Sequence, residues 1–123
     1  MLWSGAATPA QAQAVVNMIM DSTRFNTPMP FPTLDASHPE FNPENGYWRG
    51  PVWLDQVYFA IEGMRRYGFH EEADQMVAKL LQQGEGILEK GEPIWENYDP
   101  RTGAGLNAQH FSWSAAHLLL MLE

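Results

Sequence analysis

Apolar residues recur at helical spacing in three stretches of the chain. Ala12, Val15, Val16, Ile19 and Met20 share one face, as a period of 3.6 requires. Thr8 is placed to cap this helix and Pro9 fits its first position; it should end near Asp21. A second face carries Trp53, Val57, Ala60, Ile61 and Met64. Pro51 is expected to open that helix and Gly68 to end it. A third carries Ala73, Met76, Val77, Leu80 and Leu81, with Glu71 and Glu72 at its positive N-terminal end. The link through Tyr67-Gly68-Phe69-His70 is short, so the second and third helices should form an antiparallel hairpin. A last helix is predicted from Phe111 or Ser112 to Glu123. Between Ala115 and Leu122 it is apolar on nearly every side except at His117, and such a helix needs cover on several sides. No alternating pattern marks a strand, so the predicted class is all-α, built of helical hairpins.

Two segments break the pattern. From Ser22 to Gly50, Pro28, Pro30, Pro32, Pro39 and Pro43 exclude a continuous helix. Phe25, Phe31, Phe41, Tyr47 and Trp48 in the same stretch argue against disorder. From Gly91 to Gln109 the chain is again irregular, with Pro93, Pro100, Gly103 and Gly105.

Composition narrows the function. A chain of 123 residues suits one domain, residues 1–123. A formal charge of -8 repels phosphate backbones, so no nucleic-acid partner is expected. The absence of cysteine excludes disulfides, thiolate nucleophiles and Cys-based zinc sites. Apolar runs are too short for a membrane span, and no leader is visible. Five tryptophans are many for this length and suit either a core or a binding surface.

The chemistry sits in two loop segments. One is Tyr47-Trp48-Arg49-Gly50-Pro51-Val52-Trp53. The other is Pro93-Ile94-Trp95-Glu96-Asn97-Tyr98-Asp99-Pro100, whose Glu96–Pro100 part carries the motif, followed by Phe111-Ser112-Trp113-Ser114-Ala115-Ala116-His117. Aromatic faces beside carboxylate, amide and guanidinium groups suit a sugar, because rings cover C–H faces while polar groups bind hydroxyls. Taken in order, these motifs resemble the C-terminal motifs of glycoside hydrolase family 63, which includes processing α-glucosidase I and bacterial α-glucosidases and mannosylglycerate hydrolases.

The resemblance implies the C-terminal portion of an (α/α)6 catalytic toroid and an inverting hydrolase acting on α-glucosyl or α-mannosyl sugars. It places Glu96 as the general base, which would deprotonate the attacking water. It makes Trp48 and Arg49 sugar contacts, with Trp53, Trp95, Tyr98 and Trp113 as further candidates. The family's acid, an aspartate in an upstream motif, has no counterpart here. The chain therefore reads as a fragment, inactive by itself. No cofactor is expected, and no metal: His38, His70, His110 and His117 lack ligand spacing, and Asp35, His38 and Glu40 form only a loose cluster. Exposed helix faces of a partial toroid predict a homo-oligomer.

Plainer readings stand beside these. Glu96 could cap a helix or pair with Arg101, and Arg49 could make a structural ion pair. Asp55 and Glu62 are expected to be solvated or paired, and Asp99 to start the turn at Pro100-Arg101-Thr102-Gly103. The competing function is a non-catalytic helical-repeat module that binds protein partners. Such arrays show self-similarity at a fixed period, which is not found here.

Overall fold

A computed structural model describes residues 1–123. Four helices follow in order: α1 (Pro9–Ile19), α2 (Leu54–Arg66), α3 (His70–Gln83) and α4 (Ser112–Leu122). The all-α class and the hairpin reading hold. α1 opens on a capping box, in which the Thr8 hydroxyl accepts from the Gln11 N–H and the Gln11 side chain accepts from the Thr8 N–H. Gly68, at φ +85°, turns the chain between α2 and α3. Arg65 at the end of α2 reaches Asp74 on α3 at 3.3 Å, which closes the hairpin.

Two boundaries differ from expectation. α2 begins at Leu54 with Trp53 as its cap, not at Pro51. The residues Pro51 and Val52 stay extended because Val52 forms an isolated antiparallel bridge with Tyr98. Two short strands, β1 (Asn97–Tyr98) and β2 (Gly105–Leu106), pair antiparallel with Asn97 opposite Leu106. Two residues per strand are too few to leave an alternating pattern in the sequence. Gly105 is needed there: a Cβ would sit 2.1 Å from the Trp95 ring.

α2 and α4 run parallel. Trp53 at the start of α2 and Trp113 at the start of α4 have ring centroids 6.1 Å apart. At the far ends, Arg65 donates to the Met121 carbonyl at 3.3 Å. Parallel neighbours joined through an antiparallel third helix are the repeat unit of a helical toroid. The core lies between these helices, with Val57, Ile61, Met64, Ala73, Met76 and Leu80 at most 1% exposed.

The proline-rich stretch is ordered. Met29 is fully buried, and its N–H donates to the Pro100 carbonyl at 2.9 Å. Arg24 and Asp35 form an ion pair that ties the two limbs of this loop. Asp35 is thus turned to Arg24, and His38 Nδ1 accepts from the Glu40 N–H, so neither faces a shared centre. The Arg24 hydrogen bond holds the Asp35 carboxyl down at about 2, from an ordinary 3.8. A depressed folded-state value contributes stability above the unfolded value, and that contribution is lost as pH falls through the folded one. The urea midpoint is therefore expected to drop between pH 4 and pH 2. Asp35→Asn should be less stable at pH 7 and flatter across that window; an unchanged acid profile would remove Asp35 from the account.

Candidate active site

Glu96 lies just before β1 and is half-buried. Its backbone is fixed from two sides: its N–H donates to the Ala108 carbonyl at 2.8 Å, and its carbonyl accepts from the Ser114 hydroxyl at 3.1 Å. The carboxylate is held at both oxygens. Tyr47 O–H donates to Oε1 at 2.6 Å, and the Ala108 N–H donates to Oε2 at 3.2 Å. The first is in the range of a charge-assisted bond. Glu96 does not pair with Arg101. That guanidinium goes to Asp99 at 2.6 Å and Glu44 at 3.6 Å.

Tyr47 was not singled out by the sequence, although it stands in the first motif. Its hydroxyl comes to Glu96 across 49 positions, and no local pattern signals such a contact. The hydrogen bond to Glu96, then partial burial and the carboxylate's charge, raise its own pKa. The backbone at Tyr47 is left-handed, at φ +58°. Asn107 and His110, on the loop that carries Ala108, are left-handed too, at +64° and +54°. Such conformations cost about 1–3 kcal/mol each for non-glycine residues and concentrate at functional sites.

The candidate aromatics divide sharply. Trp48 is 46% exposed and Trp113 45% exposed, so each keeps surface open to a ligand. Trp53 is 2% exposed. It stacks beneath Trp48 at 3.9 Å and 14°, and its indole N–H donates to the Tyr47 carbonyl at 2.8 Å. It supports the platform from below and has no face left for a ligand. Trp95 is half-buried against Gly105, with its indole nitrogen enclosed. Tyr98 corrects the sequence reading most plainly. It is fully buried, accepts from the Trp95 N–H at 3.1 Å, and burial pushes its phenol up to about 12. Its ring belongs to the core and not to a sugar site.

Charged neighbours also sort out. Arg49 pairs with Glu40 at 3.2 Å on open surface, a contact worth about 0–1 kcal/mol, so its guanidinium is free to exchange partners. Asp99 starts the expected turn. Its Oδ1 accepts from the Arg101 N–H at 2.8 Å, and its carbonyl accepts from the Gly103 N–H at 2.8 Å. Burial raises the Asp99 carboxyl, but the Arg101 hydrogen bonds outweigh it and the net shift is downward. Of the two expectations for Asp55, solvated or paired, the first does not hold: it is buried, 5% exposed, and accepts from the Gln56 side chain at 2.8 Å. Glu62 pairs with Arg65 at 3.1 Å.

Residues 1–114 match the family model of the mannosylglycerate hydrolase MGH1-like glycoside hydrolase domain. The chain belongs to this glycoside hydrolase family. It is 37% identical over 113 residues to a mannosylglycerate hydrolase of Thermus thermophilus, covering 90% of this chain and 26% of the relative. It is 34% identical over 124 residues to mannosylglycerate hydrolase MGH1 of Selaginella moellendorffii, covering 98% and 23%. Among solved structures it resembles a GH63 mannosylglycerate hydrolase, also from Thermus thermophilus, in complex with Tris and D-glycerate. There the TM-score is 0.81 and the identity 31%, over 99% of this chain and 28% of that one. The chain thus spans about a quarter of the length of these relatives. The family and the fold agree with the three ordered motifs of the sequence.

Proposed function

We propose that this chain supplies the base half of an inverting glycosidase site for α-mannosyl or α-glucosyl substrates. The observation that carries the reading is the Glu96 carboxylate, held at both oxygens and tied through Tyr47 to the loop that carries the exposed Trp48. Trp48 stacks on the sugar, Trp113 borders the opening, and Arg49 hydrogen-bonds hydroxyl or carboxylate groups of the substrate. Glu96 takes the proton of a water that attacks from the face opposite the leaving group. The relatives are mannosylglycerate hydrolases by name, which makes mannosylglycerate the first substrate to try. Inversion needs a second carboxyl group about 6.5–9.5 Å away, and no residue here is assigned to that part.

The test is an assay of the purified chain against mannosylglycerate and α-glucosides, with tryptophan fluorescence as a binding readout. Expected are ligand-dependent quenching that weakens in Trp48→Ala and no steady turnover by the chain alone. Turnover by the pure chain would overturn the missing acid, and quenching untouched by Trp48→Ala would overturn the platform.

We also propose self-association. Leu119, Leu120 and Leu122 on α4 are 66%, 42% and 55% exposed; Leu120 lies two turns along from the exposed Trp113 on the same face, and Leu119 and Leu122 extend the apolar surface around the helix. An apolar surface of this kind drives association. Sedimentation at micromolar concentration should show a species larger than 13.9 kDa, and a monomer across that range would refute it.

A further inference from the structure

We infer that Tyr47 is a positioning residue for Glu96, and that Trp53 locks Tyr47 in the conformation that lets it act. The inference rests on the reading of Glu96 as the base and adds what holds that base in place. A glutamate has three side-chain torsions, and only two contacts fix this one: the Tyr47 hydroxyl at 2.6 Å and the Ala108 N–H at 3.2 Å. The Tyr47 bond is the shorter and joins a neutral donor to an anion, the stronger kind. It leaves lone pairs on the carboxylate that remain free to take a proton from water.

The backbone at Tyr47 gives independent support. At φ +58° a bulky side chain is strained. Gly46 and Gly50 flank the segment, yet the left-handed position itself carries an aromatic residue. What holds it is the Trp53 indole, whose N–H donates to the Tyr47 carbonyl at 2.8 Å while the two rings meet edge to face at 4.9 Å. Trp53 is anchored in turn, at 2% exposure and in the capping position of α2. The strain is therefore borne from the helix core outward and delivers one oxygen atom to Glu96. Trp48, the next residue, stacks on the same indole. Sugar platform and base clamp thus share one support.

The experiment uses the chain itself and needs no turnover. Tyr47→Phe removes the hydroxyl and keeps the ring contacts, and the ring is 45% exposed, so the amide spectrum should stay native. In the parent chain, the tyrosine ring carbon of Tyr47 should titrate above that of an ordinary exposed tyrosine. Glu96→Gln should shift that titration down. The Glu96 side-chain carbons should be ordered in relaxation measurements, and Tyr47→Phe should lose that order while Tyr67→Phe, at the far end of α2, does not. A Tyr47 titration indifferent to Glu96→Gln, or equal Glu96 order in Tyr47→Phe, would overturn the inference. If these spectroscopic results hold while Glu96→Gln leaves hydrolysis intact in an active assembly, it is the base assignment that fails and the link between the two residues that stands.

Discussion

Glu96→Gln is expected to lower kcat by about 10²–10⁴-fold, the usual worth of a general base. The form to measure is a chimera in which residues 1–114 replace the matched quarter of the Thermus thermophilus mannosylglycerate hydrolase. The parental chimera should hydrolyse mannosylglycerate, because the remaining three quarters supply whatever the opposite face of the sugar requires. Glutamine keeps the shape of the side chain and an oxygen able to accept from Tyr47. What it loses is the capacity to take the proton of water. Trp48 and Trp113 are untouched, so KM should move little, and a loss confined to kcat is the signature of an interaction made in the transition state. A chimera with equal kcat before and after the substitution would remove Glu96 from the chemistry.

Tyr98→Ala is expected to destabilise the chain by about 3–5 kcal/mol, the range for deleting a buried aromatic ring. The whole stability of a domain is commonly about 5–15 kcal/mol, so much of this chain would unfold. Tyr98 has no exposed surface, and its hydroxyl accepts the Trp95 N–H. Tyr98→Phe keeps the ring and drops that acceptor, which should cost only about 1 kcal/mol. Urea denaturation of the three proteins would separate them. If the alanine variant unfolded at the parental midpoint, Tyr98 would return to the surface as a sugar contact.

Most of the helical frame was legible in the sequence. α1 and α3 announce themselves by face, cap and terminal charge, and the Gly68 turn by a residue that tolerates positive φ. α4 is readable as an element, and so is its need for further cover, since three of its leucines stay exposed. The start of α2 was misplaced for a tertiary reason. Proline at 51 suits a first helical turn, but Val52 bridges to Tyr98, a strand-like contact set by a residue 46 positions away. The same limit governs the site. Motif order pointed to Glu96, whereas the hydroxyl that clamps it comes from the other loop. Tyr98 shows the opposite error. Proximity to Glu96 in sequence suggests a ligand contact, yet Glu96 precedes β1 and keeps part of its surface exposed, while Tyr98 within β1 has none.

The Val52–Tyr98 bridge has a consequence for how the site breathes. Val52 N–H meets the Tyr98 carbonyl at 2.8 Å, and Tyr98 N–H meets the Val52 carbonyl at 3.0 Å. Both residues are wholly enclosed. Amide protons so placed trade with solvent deuterium only when the core itself opens. The two loops that carry Tyr47 and Glu96 are riveted together next to their working residues, and at that point they should exchange as slowly as the middle of a helix. On the proposal that Glu96 is the base, these loops form the rigid side of the site, and any opening that admits a sugar is expected in other elements.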